Sequence, residues 1–198
     1  MTHTSTKNQA EHGQHTGQNF KKAYLSVRRH EARWREVALQ ALLQASLGSR
    51  YDVKLTGLGA GEADLKPGTD PSPDITIYHE GRIAAEVEVT GTRYPYYAIA
   101  SKGLWLRPDK LRYALRSPYT ERIIYVHLLI PQEFPEGPWL HWLPAKTAIL
   151  FLDTDHMLEL MVTSSSKLKE HYVSIPPQVW RRNWQGLIRH IRSLAGDE

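Results

Sequence analysis

Residues 73–90 read PDITIYHEGRIAAEVEVT, and the way their side chains alternate decides how the rest of the chain is arranged. Ile75 and Ile77, then Ile83, Ala85, Val87 and Val89, recur at every second position, the period of a strand with one buried face. Asp74 and Thr76, then Glu86, Glu88 and Thr90, fall on the opposite face. The stretch therefore reads as a β-hairpin. A two-residue loop at Glu80-Gly81 sets Glu86 against Ile75 and mixes the faces, because a slip of one residue turns every side chain over. A three-residue loop, His79-Glu80-Gly81 with glycine in the left-handed region, sets Asp74 against Glu86 instead. Opposed Cβ atoms on such a pair are about 4.5–5.5 Å apart, and like charges there destabilise the pair. Clustered carboxylates of this kind call for a cation between them, although the same spacing also fits a solvated hairpin face whose acids happen to align.

Hard divalent ions such as Mg²⁺ take oxygen ligands, commonly one or two carboxylates with water completing the shell. A bound ion of this sort acidifies a water and offsets charge on a phosphoryl group. Pro73-Asp74 at the start of one strand, followed on the next by Glu86-Val87-Glu88, resembles the PD-(D/E)xK nuclease superfamily. Glu88 stands where that family usually has lysine, so the match is to a Glu-x-Glu variant of the motif, and it spans roughly residues 30–130.

The resemblance implies an α/β domain with a central mixed β-sheet flanked by helices, restriction-endonuclease-like, acting as a metal-dependent endonuclease on DNA. It implies that Asp74 and Glu86 hold Mg²⁺ or Mn²⁺ with the backbone carbonyl of Val87. Glu88 then binds a second ion or orients the nucleophile through water. In this family the first helix often lends a glutamate, a role that fits Glu36, with Glu31 second. The displaced lysine falls to Lys102, with Lys110 as the other choice. A non-catalytic nucleic-acid-binding protein on the same fold is the rival expectation, and a glycosidase-like acid pair finds no sugar-binding signal beyond scattered tryptophans.

Charge is unevenly distributed around this hairpin. The net charge is only +4. Residues 21–50 nevertheless concentrate cations, among them Arg28, Arg29, Arg33 and Arg35, whereas residues 51–90 are acidic. An acidic centre between basic elements suits a metal site in a cleft that attracts phosphates. After Thr90, aromatics at Tyr94, Tyr96, Tyr97 and Trp105 alternate with Arg93, Lys102, Arg107 and Lys110, pairing stacking surfaces with phosphate-binding charge. Arg181 and Arg182, on an expected terminal helix, add to that set as candidate DNA contacts.

Taken in order, residues 1–19 are polar and expected to form a disordered tail, and residues 20–198 one nuclease-like domain. Its core lies at about 30–130, with further strands and a basic helix in 131–198. The His3, His12 and His15 spacing matches no metal site. Trp34, Val37, Ala38, Ala41, Leu42 and Ala45 form a helical apolar stripe, widened by Leu39 and Leu43. Glu36 extends that widened side inward. Residues 51–58 suggest a strand and 58–72 a loop in which Glu62 and Asp64 are loop acids. Pro108 opens a helix to about Arg116 with Leu111, Ala114 and Leu115 facing in. Residues 122–130 read as a strand buried on both faces. Short strands are expected at 139–143, 147–152, 157–162 and 171–175, and a helix at 177–194. The absence of cysteine and of any apolar run of about 20 residues leads to the expectation of a cytoplasmic protein with no membrane association. Cutting both strands of a duplex would call for a homodimer.

Overall fold

The structure is a computed structural model and describes residues 31–57, 73–91, 103–106, 108–129, 139–151, 160–163 and 170–197. The described part of helix α1 covers residues 31–47. It is followed by β1 (Tyr51–Leu55), β2 (Ile75–His79), β3 (Arg82–Thr90), β4 (Leu104–Leu106) and α2 (Pro108–Arg116). A 3₁₀ turn (Thr120–Arg122) leads into β5 (Ile123–Leu129), β6 (Trp139–Pro144) and α3 (Ala145–Phe151). β7 (Leu160–Thr163), β8 (Glu170–Ile175) and α4 (Trp184–Ala195) complete the set.

Five strands form a mixed sheet in the order β1-β2-β3-β5-β6. All its pairs are antiparallel except β3 with β5. A second sheet, β4-β8-β7, has three strands. The large sheet separates two apolar clusters. On one face Leu39, Leu43 and Leu47 of α1 and Leu187, Ile188 and Ile191 of α4 pack on Val87, Val126 and their neighbours. On the other, Leu111 and Ala114 of α2, Ala145 and Ala148 of α3 and strands of the small sheet cover Ile123, Tyr125 and Leu143. Full burial of each such leucine or isoleucine contributes roughly 1.5–3 kcal/mol. The architecture is thus α/β, a mixed sheet between helical layers. β5 is buried along its whole length, as its unbroken apolar run requires.

The hairpin corrects the expected register. Glu80 (φ 51°) and Gly81 (φ 77°) are both left-handed, so the loop is a two-residue turn of the I′ kind, with His79 paired to Arg82. The faces are not mixed, because the register shifts between Ile77 and Tyr78: Tyr78 pairs with Ile83 but Ile77 with Ala85. Ala84 is the extra residue of a β-bulge. The shift puts Thr76 opposite Glu86 and Ile75 opposite Val87. Asp74, one step further, comes level with Glu88 rather than with Glu86.

Four other expectations change. In α1 the buried side is Glu36, Leu39, Leu43 and Leu47, whereas Trp34 (68% exposed), Val37 and Leu42 face outward; both sides are apolar, and the sheet selects the one carrying the leucines. Residues 145–151 are helical, not a strand: Pro144 ends β6, and Ala145 and Ala148 meet the core at helical spacing. In α2, Leu115 is exposed while Leu111 and Ala114 are buried. The terminal helix begins at Trp184 rather than 177 and ends on left-handed Gly196.

Strand β1 is an edge of the large sheet, and α1 covers its outward peptide groups with two glutamines. Gln40 Nε2 donates to Val53 O (2.8 Å). Gln44 Nε2 donates to Tyr51 O (2.9 Å), and its Oε1 accepts from Val53 N (3.0 Å). At the other edge, Trp142 of β6 exchanges backbone hydrogen bonds with Arg181 (2.8 and 2.9 Å). Gln44→Ala should cost about 1–3 kcal/mol, the penalty for stranding part-buried peptide groups, measured by urea unfolding.

A cross-strand histidine pair sits inside the sheet. His127 of β5 lies opposite His141 of β6, their rings edge to face at 6.1 Å. His127 is fully buried, and neither ring nitrogen has a partner among the described residues. Burial, then the neighbouring His141 and Arg35, pushes its pKa down to about 3, and burial, then Arg182, brings His141 to about 4. These folded-state values lie below the unfolded one, so the stability is fully present above about pH 6.5 and drains away as pH falls toward the folded values. Between pH 7 and 5 His127 should cost about 2 kcal/mol. Urea unfolding of His127→Leu at the two pH values should show a shallower loss than the parent.

Candidate active site

The site lies where the entry to β2, the end of β3 and the first turn of α2 meet. Asp74 precedes β2, and its backbone is fixed by the chain leaving β1: Thr56 N and Gly57 N donate to Asp74 O (3.1 and 3.2 Å). Thr56 Oγ1 donates to Pro73 O (2.8 Å). Gly57 is needed at this approach, since a Cβ there would come within 2.9 Å of Asp74 Cα. Asp74 Oδ2 accepts a hydrogen bond from Val89 N (2.7 Å), which ties it to β3.

Lys110 comes across from α2. Its ammonium donates to Asp74 Oδ2 (2.8 Å), to Glu88 Oε2 and to the carbonyl of Val89 (3.2 Å). Two carboxylates and one backbone oxygen on neighbouring strands thus share a single cation. The lysine backbone is held in turn, because the Tyr125 hydroxyl donates to Lys110 O (3.1 Å). All three charged side chains are shielded, with Glu88 only 4% exposed. Burial, with Asp74 adding to it and Lys110 opposing, pushes the Glu88 carboxyl up to about 7. For Lys110, burial works against the charge, but Glu88 and Asp74 outweigh it and hold its pKa above the ordinary lysine value.

Glu86 is on the same face of β3, one step inward, and accepts from the Tyr113 hydroxyl (3.0 Å). Lys110 and Tyr113 are one helical turn apart on α2, so one helix face serves both acids. Glu36 is buried, accepts from Arg33 Nη1 (3.1 Å), and is raised in pKa by burial and then by Asp74, with Arg33 and Lys110 acting the other way. It lies within electrostatic reach of the site.

Among the described residues no group of three or more His, Asp or Glu side chains converges as a metal cluster. The backbone oxygen beside the ammonium is that of Val89, while Val87 sits in the ladder between Ile75 and Ile124. Arg33 pairs with Glu36. Arg181 stacks over Trp142 (4.9 Å) at the β6 edge, and Arg182 is exposed next to it. Arg28, Arg29, Arg93, Lys102 and the acids Glu62 and Asp64 lie outside the described residues, as do His3, His12, His15, Tyr94, Tyr96, Tyr97 and Arg107. Sequence reasoning did not single out Tyr113, Tyr125 or the Val89 carbonyl. Tyr113 was findable as the residue one turn after Lys110, but Tyr125 is hidden in an apolar run.

No family model matches the chain, and no curated protein matches it. Among solved structures, a nuclease from a fusselovirus is similar over 85% of this chain and 92% of that chain, at 16% identity and a TM-score of 0.47. Similarity at that level says nothing of this chain's chemistry, which has to come from its own side chains. Among the described residues no helix is long and apolar enough to cross a membrane.

Removing the shared cation leaves two shielded carboxylates uncompensated, so Lys110→Met should destabilise the fold by about 3 kcal/mol. Glu88→Gln should cost less, because Asp74 still pairs with the ammonium. Urea denaturation at pH 7.5 ranks the two, and equal losses would contradict a shared cation.

Proposed function

We propose that this chain is a metal-dependent endonuclease hydrolysing phosphodiester bonds in DNA, on a restriction-endonuclease-like fold. The observation that carries the reading is the meeting of Asp74, Glu88 and the Val89 carbonyl at one point, around a cation supplied by Lys110. Oxygen donors of this kind suit Mg²⁺ or Mn²⁺, which bind through one or two carboxylates and keep several waters. The ligand set is displaced along β3 from Asp74, Glu86 and Val87 to Asp74, Glu88 and Val89. When bound, the ion supplies an acidified water and offsets charge on the phosphoryl group.

The chain's own residues do the rest. Asp74 and Glu88 hold the ion between two strands whose spacing the ladder sets. Glu86, oriented by Tyr113, and Glu36, brought inward by α1, accept from waters around it or hold a second ion. Lys110 takes the part of the lysine absent from the Glu-x-Glu motif, stabilising charge that develops on the phosphorane. Lys102 remains the alternative for that role. Arg33 and the pair Arg181 and Arg182, with Arg28, Arg29 and Arg93, are the candidate phosphate contacts, fixing position rather than reading sequence. DNA is the proposed substrate, and a homodimer the proposed form for cutting both strands.

The rival reading is a non-catalytic nucleic-acid-binding protein on this fold. It is favoured by the Lys110 ammonium, which already serves as a shared counter-ion to the two carboxylates without any metal. Incubation of plasmid and branched DNA with the protein plus Mg²⁺, Mn²⁺ or EDTA separates the two. Nicking or linearisation that needs metal and falls at least a hundredfold in Glu88→Ala supports the nuclease; retention of DNA without cutting in every condition supports the binder.

A further inference from the structure

The Lys110 ammonium bonds to the very oxygens that the proposed ion would use, Asp74 Oδ2, Glu88 Oε2 and Val89 O. We infer that Lys110 is a built-in competitor of the metal: a divalent ion that binds through these three oxygens displaces the ammonium, which then becomes the positive charge presented to the substrate phosphate. This rests on the metal-site reading above and deepens it.

The physical argument is one of shared lone pairs and like charge. Asp74 Oδ2 already accepts two hydrogen bonds, from Val89 N (2.7 Å) and from Lys110 (2.8 Å), so both lone pairs of that oxygen are taken while the two donors remain. A divalent ion at about 2.0–2.1 Å from the same oxygens would also stand beside a monovalent cation in a shielded site, where like charges repel strongly. An ion on these oxygens therefore takes the place of the ammonium. The movement is confined to the lysine side chain, because Tyr125 holds the Lys110 carbonyl (3.1 Å) and α2 is anchored by buried Leu111 and Ala114. The displaced ammonium is therefore kept within a side chain's length of the site. The arrangement also accounts for two neighbouring carboxylates being tolerated: the lysine is their counter-ion until the metal takes over.

Two measurements test this. Mn²⁺ binding, followed by the loss of the free-ion electron paramagnetic resonance signal, should be at least tenfold tighter in Lys110→Met than in the parent and lost in Glu88→Gln. Independently, in the parent protein, the rate at which an amine-acylating reagent modifies Lys110, read by peptide mass spectrometry, should rise several-fold when Mg²⁺ is added to EDTA-treated protein. This second readout holds even if Lys110→Met fails to fold. Mn²⁺ affinity that is unchanged or weaker in a folded Lys110→Met, or an acylation rate indifferent to Mg²⁺ while Mn²⁺ still binds through Glu88, overturns the competition and leaves the metal site standing. Absence of any Mn²⁺ binding by the parent and by Lys110→Met overturns both.

Discussion

A single ammonium, that of Lys110, lets Asp74 and Glu88 stand on neighbouring strands. Without a counter-ion, two shielded carboxylates at this distance would repel each other, and the end of β3 would have no reason to meet the entry to β2 as it does. Much of the local structure serves that contact. The chain leaving β1 holds the backbone of Asp74, and Tyr125 holds the backbone of Lys110. The parallel pairing of β3 with β5 sets Glu88 beside that tyrosine. The helix carrying the lysine lies in the crossover between those two strands.

The acids of β3 are kept apart by their partners as well as by the pleat. Glu88 goes to the lysine and Glu86 to the tyrosine one turn later on α2. Glu36 arrives from the other side of the sheet edge with its own arginine. Each carboxylate is satisfied separately, so the site holds a concentration of negative charge without any three acids converging.

The period-two pattern of residues 73–90 was legible because it is local: a strand's faces follow from its own residues. The pairing of Asp74 with Glu88 was not, since it depends on Ala84 being an extra residue, and an alanine among apolar neighbours carries no mark of a bulge. The same limit applies in α1, where apolar residues occur on both sides and only the sheet determines that Leu39 and Leu43 go in while Trp34 stays out. The inward turn of Glu36 could be read because it shares the leucines' phase. The contact of Lys110 with Asp74 and Glu88 could not be read either, because a lysine on a helix keeps no fixed spacing to the strands it meets. The stretch 147–152, which falls largely within a helix, was misread as a strand because a short apolar run fits both periods until its packing is known.

The two glutamines along β1 and the Arg181 bridge on β6 bear on how copies of this molecule could associate. With those outer peptide groups already spoken for, a second copy gains little by aligning a strand alongside the large sheet, which is a common route to both dimers and aggregates. If two copies act on one duplex, as proposed above, the pairing that brings their two acidic centres together has to rely on contacts between side chains on helical or loop surfaces. The spacing between the two centres would then be set by how those surfaces fit, and could be retuned by substitutions far from the acids.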